Sequence, residues 1–426
     1  MQCSLESGRS ILGIILASDK TPLTIGTGNK QLHPLLLSLA NIPAEVRMKA
    51  TANAFALLAY LPIPKFTDVS TDVQSLLSAH VFHECLSIIT EDLKHAELRG
   101  VTVSDPCGLL RDVHTPLMSY IADYPDMQLV AGVSAGSSPL SVATKKEFGN
   151  ATPSAVRTRM HTLDRIRLSL QYHHPWTDLA QLCKIYKRQG LNGIYQPFWE
   201  DWGNADPSSF LTSDALHQWH KFFFNHVLKW ASNIVGVSEF DRKLSCLQPM
   251  VGEHRWKKGV SKLKQLTGRE HRELEKVVVP LMVGVDPTAV AAIHAIVDFI
   301  FQAQSLLCYN ETSASLRSAL AEFFHFSMSV VREGGRKGKN GPIPHFQIPK
   351  LELMQHVART IPEMGALYQW TSDVTERCHI THVKKLLTNA TLMVNVCVTL
   401  TAWKKCVCSV YILTISCIKL ILLQTK

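Results

Sequence analysis

The sequence is short of several things, and each shortage closes a route. Its eleven cysteines form no Cys-x-x-Cys pair. A disulfide scaffold is not expected in a chain of 426 residues, so reduced thiols, and with them a cytosolic or nuclear setting, are the expectation. Charged residues make up only 19% and apolar residues 46%, too apolar for a disordered chain and too polar for a membrane bundle. There is no internal repeat. The opening MQCSLESGRSILGIILASD has one early Arg, a short apolar run and no small-residue cleavage pattern, so it reads as a strand rather than a secretory signal. On that reading the sequons at Asn150, Asn310 and Asn389 are chance matches. The excess of positive charge, +9, fits a polyanionic partner without requiring one.

Residues 1 to about 145 read mainly as strands with short turns. Ile11–Ala17, Leu35–Leu39, Ala54–Leu61 and Pro116–Ala122 are apolar runs bounded by Pro and polar clusters, and Met127–Val133 is read as a further strand. Val73–Ile89 has helical spacing. Strands followed by helices predict an α/β or α+β core. From about 146 to 330 the pattern turns helical and basic. Ala215–Val235 carries a broad apolar stripe, and Val290–Leu307 is a buried helix rather than a membrane span, because His294 and Asp298 lie inside it. Arg332–Gly341 reads as a flexible basic loop, and Ile348–Gly365 and Trp370–Lys385 as helices. Cys408–Leu423 is sixteen mostly apolar residues interrupted by Lys419, short for a membrane anchor and expected to be a packed or disordered terminus or translated non-coding sequence.

Two of the strands run into aspartates, Asp19 and Asp123. If they are neighbours in one sheet, the two carboxylates meet at one edge, where they repel and raise each other's pKa. A divalent cation removes the repulsion: Mg²⁺ prefers oxygen ligands, and two such ions about 3.5–4 Å apart serve in-line phosphoryl displacement. An aspartate after a strand is also a common turn or cap residue, and spacing alone does not choose. Rival motifs are thin. Gly132-Val133-Ser134-Ala135-Gly136 fits the nucleophile elbow of a serine hydrolase but has no HGGG-type oxyanion loop. Gly26-Thr27-Gly28-Asn29-Lys30 lacks the spacer and the final Ser/Thr of a phosphate loop. His80, His83 and Glu84 form a polar helix edge more readily than a zinc site.

Several segments, in order, carry a resemblance. They are Ser18-Asp19-Lys20-Thr21 with HPLLLSLANIP (33–43), YIADYPD (120–126), SDALHQWHKFFFNHVLKW (213–230), LTGREHRELEKV (266–277), IPKLELMQH (348–356) and Thr375-Glu376-Arg377-Cys378-His379-Ile380. Together they resemble the transposase of Plavaka elements, cut-and-paste DNA transposons related to the CACTA group, here as a truncated or degenerate copy. The resemblance implies an α/β, RNase H-like core, residues 8–145 and 345–385, interrupted by a large mainly α-helical insertion, 146–344, and followed by an atypical apolar tail, 386–426. It implies Asp19, Asp123 and Glu376 as the carboxylates of a DDE nuclease using Mg²⁺ or Mn²⁺, with transposon-end DNA as partner, no small-molecule substrate, no membrane, and the nucleus as the place of work; a homo-oligomer is left open. Asp214 and His217 form the Asp-x-x-His element of related transposases, and on one helix face they could grip a water, ion or phosphate; as a first-turn acid and a half-buried histidine they could equally be structural. Structural zinc is not expected, since Ser138 and Ser141 stand where the family pattern has cysteines, and hydroxyls do not replace thiolates.

A second signal is basic. His254–Lys276 holds Arg255, Lys257, Lys258, Lys262, Lys264, Arg269, Arg272 and Lys276, with Trp256 among them. Such a stretch could track a phosphate backbone with Trp256 stacked on a splayed base, or be a solvated face balanced by Glu270, Glu273 and Glu275. Arg332, Arg336, Lys337 and Lys339 form a second candidate phosphate clamp. The reading with no cutting at all is a DNA-binding or transposase-partner protein derived from the same fold.

Overall fold

The computed structural model describes residues 3, 5–23, 31–66, 69–105, 107–172 and 179–384. The Gly26–Lys30 loop, the sequon at Asn389 and the apolar tail lie outside these residues. The protein is mixed α/β and divides into two compact units. Among the described residues, the first comprises those of 3–142, 156–212 and 372–384; the second comprises 143–155 and 213–371.

The first unit is built on a mixed sheet. Its principal strands are β1 (Ile14–Ser18), β2 (Gln31–Leu39), β3 (Ala56–Leu61), β4 (Leu117–Ile121) and β5 (Leu211–Thr212), in the spatial order β3-β2-β1-β4-β5, with Thr21–Pro22 adding a short pairing to β2. β2 runs antiparallel to β1 and to β3, whereas β4 is parallel to both β1 and β5. The central strand β1, IILAS, is buried along its whole length, as an unbroken apolar run covered on both faces should be. Gly13 lets it enter the sheet: a Cβ there would stand 2.7 Å from Met118 Cγ and 3.0 Å from Ala40 Cβ. The expected strand Ile11–Ala17 is therefore two pieces, since Arg9–Ile11 pairs instead with Leu110–His114 in a separate three-stranded sheet.

Met127–Val133 is corrected from strand to helix. The helix Tyr124–Ala131 starts at Asp123 and Pro125 and stops at Gly132, which adopts a positive φ of 74°. Cap, early proline and terminal glycine outweigh the apolar run. Segment 156–212, read with the helical stretch, belongs to the first unit: its last residues form β5, and Trp199 Nε1 donates to Val130 O at 2.7 Å while Trp202 Nε1 donates to Thr115 O at 3.2 Å.

The second unit is helical. Helices Pro287–Ala303 and Asn310–Arg332 pack along one another, and Pro349–Met364 joins the second of them. Asp286 caps the first through Thr288 N and Ala289 N. An aromatic core of Trp219, Phe299, Trp230, Phe323 and Phe346 is stacked or edge-on at 5.3–6.3 Å. Ala215–Val235 is helical as expected, but Ala215–His220 and Phe223–Val227 are π-helical turns ahead of the regular helix Leu228–Val235. Arg332–Gly341 is corrected from a loop: the helix runs to Arg332, and Lys337–Gly338 pairs with Gly341–Pro342 as a short hairpin. Among the described residues no helix is long and apolar enough to cross a membrane, and the cysteines are free thiols.

Candidate functional site

Strand register decides where the two aspartates go. β1 and β4 are parallel neighbours in which Leu16 faces Tyr120 and Ala17 faces Ile121. Continuing that register by two residues sets Asp19 opposite Asp123, just past the carboxyl ends of both strands. The strand ends are locked below them by Ser18 Oγ and the Tyr120 hydroxyl, 2.8 Å apart and buried; burial pushes the Tyr120 hydroxyl well above its ordinary pKa. Asp123 also caps the helix Tyr124–Ala131, its Oδ1 accepting from Asp126 N at 2.9 Å, where the positive helix end favours a negative charge.

Carboxylate oxygens of Asp19, Asp123 and Asp126 all lie within 4.8 Å of one another. An oxygen of Glu376 also lies within 4.8 Å of one from Asp19. Glu376 comes from the helix Asp373–Cys378, which packs on the turn Ala50–Ala52 of the same unit. The structure thus brings Asp19 together with both of its expected partners. It adds Asp126, which the sequence reading passed over although it closes the YIADYPD segment; an acidic residue at the third helical position after a capping aspartate was the available signal. Beside Asp126 stand Lys20, with Nζ 3.8 Å from Oδ1, and His33, with Nε2 3.3 Å from Oδ2. Carboxylates this close favour a cation between them, and an all-oxygen set suits Mg²⁺ or Mn²⁺.

In the second unit Asp214 and His217 also meet, in a different manner. Asp214 is fully buried and caps the π-helical turn, accepting from Leu216 N at 3.1 Å and His217 N at 3.0 Å, while its Oδ2 lies 2.6 Å from His217 Nδ1. The aspartate is a cap that also orients the imidazole. Lys350 Nζ donates to His217 O. One turn on, His220 Nδ1 donates to Glu275 Oε1 at 2.7 Å, both side chains being wholly buried, and Arg272 Nε donates to His220 Nε2.

The basic stretch divides. Arg255, Lys257, Lys258, Lys262 and Lys264 are exposed and make no ion pair among the described residues. Arg269 and Lys276 are exposed too, but pair with Glu273 and Glu253. Trp256 is corrected: it is 8% exposed and its ring packs on His254 at 4.3 Å, so its face is not offered to a base. Arg336 is corrected likewise. It is buried, donates to His345 O at 2.6 Å, and lies over the rings of Trp230 and Phe346 at 5.7 and 4.9 Å. The aromatic core takes its charge as a cation–π contact, leaving Lys337 exposed in the hairpin.

The rival motifs are accounted for structurally. Ser134 follows a helix rather than a strand, and its hydroxyl lies 3.2 Å from that of Ser137. His83 Nδ1 accepts from Phe198 N and its Nε2 donates to Leu129 O; burial lowers its pKa to about 4. With both ring nitrogens used, it is a neutral core histidine. At Ser138-Pro139-Leu140-Ser141 the Ser138 hydroxyl accepts from Leu140 N and Ser141 N, while buried Arg157 donates from Nε to Ser138 O and Ser141 O. Hydrogen bonds hold this turn where cysteines are absent.

Fold and site together define a mixed α/β protein that gathers acidic side chains at the carboxyl ends of its two central parallel strands. The model of the Plavaka transposase family matches residues 1–231, more than half of the chain, and the chain belongs to that family. The match takes in Asp19, Asp123, Asp126, Asp214 and His217; Glu376 and the basic stretch lie beyond it. No curated protein matches the chain. Membership makes this a transposase-type protein, and that class implies DNA as partner and a divalent metal.

Proposed function

We propose that the chain cleaves and joins DNA strands by two-metal phosphoryl transfer. The observation that carries this is the carboxylate set assembled around Asp19. The strand order, with its single antiparallel second strand, supports an RNase H-like core assembled from the chain segments on either side of the helical unit. Asp19, Asp123 and Glu376 would hold Mg²⁺ or Mn²⁺. Bound there, the metal supplies Lewis-acid activation of the attacking water or 3′-hydroxyl oxygen and neutralises charge on the leaving oxygen. The chain's own part is to fix the carboxylates: the register sets Asp19 beside Asp123, and the helix cap holds Asp123 in place. No side-chain nucleophile is required. The exposed cations Arg255, Lys257, Lys258, Lys262 and Lys264 would grip the DNA backbone, with the nucleus as the setting.

The test is nicking of supercoiled DNA with Mn²⁺ by the purified chain and by Asp19→Asn. The variant should lose nicking by at least about a hundredfold, since a metal contact is worth several kcal/mol of barrier, while binding DNA as tightly as before. Equal nicking by both proteins would remove Asp19 from its role. DNA binding without nicking in the unmodified chain would select the non-catalytic reading, which the serines at 138 and 141 favour.

A further inference from the structure

We propose that Asp126 is a fourth metal carboxylate, completing with Asp19 and Asp123 one of two cation subsites, while Asp19 and Glu376 form the other. The inference rests on the metal reading above and extends it. Asp126 is 5% exposed, and a buried carboxylate costs several kcal/mol unless it is compensated. Its neighbours compensate it poorly. Lys20 is half exposed and 3.8 Å away. His33 Nε2 comes within 3.3 Å, but off the direction a hydrogen bond needs, so that Asp126 Oδ2 and His33 Nε2 are both buried without a hydrogen bond. His33 is not free to turn toward it, being buried and stacked on Phe82 at 5.7 Å. A structural Asp–His pair would align these atoms. What Asp126 does have is a fixed relation to Asp123, whose Oδ1 accepts its backbone N–H, and an oxygen within 4.8 Å of both other aspartates. A divalent cation among the three would compensate the buried charge and use the tie to Asp123 as preorganisation.

Asp19 lies close to Glu376 as well as to Asp123 and Asp126, so the variants should separate. Mn²⁺ titration of the full chain, followed by electron paramagnetic resonance of the free ion, should find two sites. Asp126→Asn should weaken one by more than the about 10–100-fold that loss of an outer partner costs, and leave the other unchanged. Asp19→Asn should weaken both. Thermal melting checks that each variant is folded. If Asp126→Asn does not fold, Asp126→Cys with Cd²⁺ replaces it, where a ligand thiolate gives an ultraviolet charge-transfer band. Two Mn²⁺ ions bound at unchanged affinity by folded Asp126→Asn, or no band from folded Asp126→Cys, would overturn the assignment while leaving the metal reading intact. An unmodified chain that binds no Mn²⁺ would instead overturn the metal reading itself.

Discussion

Asp19 and Asp123 are brought together by the register of two buried strands, whereas Lys257, Lys258, Lys262 and Lys264 stand exposed in the turns between helices Val237–Ser245 and Gly268–Leu281. The acidic edge is positioned by the sheet itself; the basic stretch holds its cations on exposed turns, outside any regular element. Chemistry at a phosphorus atom needs positions held to a fraction of an ångström, while attraction to a polyanion needs only density of charge. The two regions should therefore answer mutation in different terms, one in rate and the other in salt dependence.

The largest effect that would break this contrast is at the acidic edge: Asp19→Asn should cost at least about a hundredfold in nicking with no change in the salt slope of DNA binding. Next, replacing Arg255, Lys257, Lys258, Lys262 and Lys264 together with alanine should flatten the slope of log K against log salt by up to about 4.5, at roughly 0.9 for each lost phosphate contact. An unchanged slope in filter-binding titrations would return this stretch to a solvated face.

Smaller effects concern stability. His83 is neutral in the folded chain, its pKa lowered from 6.5 to about 4 by burial. Above pH 6.5 folded and unfolded chains are both neutral there, and the contribution is complete. As pH falls from 6.5 toward 4 only the unfolded chain gains the proton, and up to about 3 kcal/mol is lost. Denaturant melts between pH 7 and 4 should show that loss reduced in His83→Gln. Smallest is Arg336→Ala, expected to cost about 1–2 kcal/mol by removing a cation–π contact and a hydrogen bond. Its DNA salt slope should stay the same, in contrast to the lysines.

How far the sequence spoke follows from the same contrast. β1, β2 and β4 were legible because each is a short apolar run, and Asp19 and Asp123 because each ends one. That they face each other depends on the pairing of Ala17 with Ile121, a non-local fact that no local pattern encodes. Met127–Val133 misled because a short buried helix has the same apolar density as a strand. Trp256 and Arg336 misled because composition reports charge and ring but not burial: one packs on His254 and the other on Trp230. Asp126 offered only its place at the third helical position; its contact with His33, across 93 residues of chain, is not disclosed by residue type.

The Arg157 clamp across Ser138 and Ser141 has a practical consequence. Because the turn closes on a guanidinium rather than on thiolates, stripping cations with a chelator should leave the chain folded. The folded, ion-depleted protein is then accessible as a reference state, against which divalent ions can be added back one equivalent at a time.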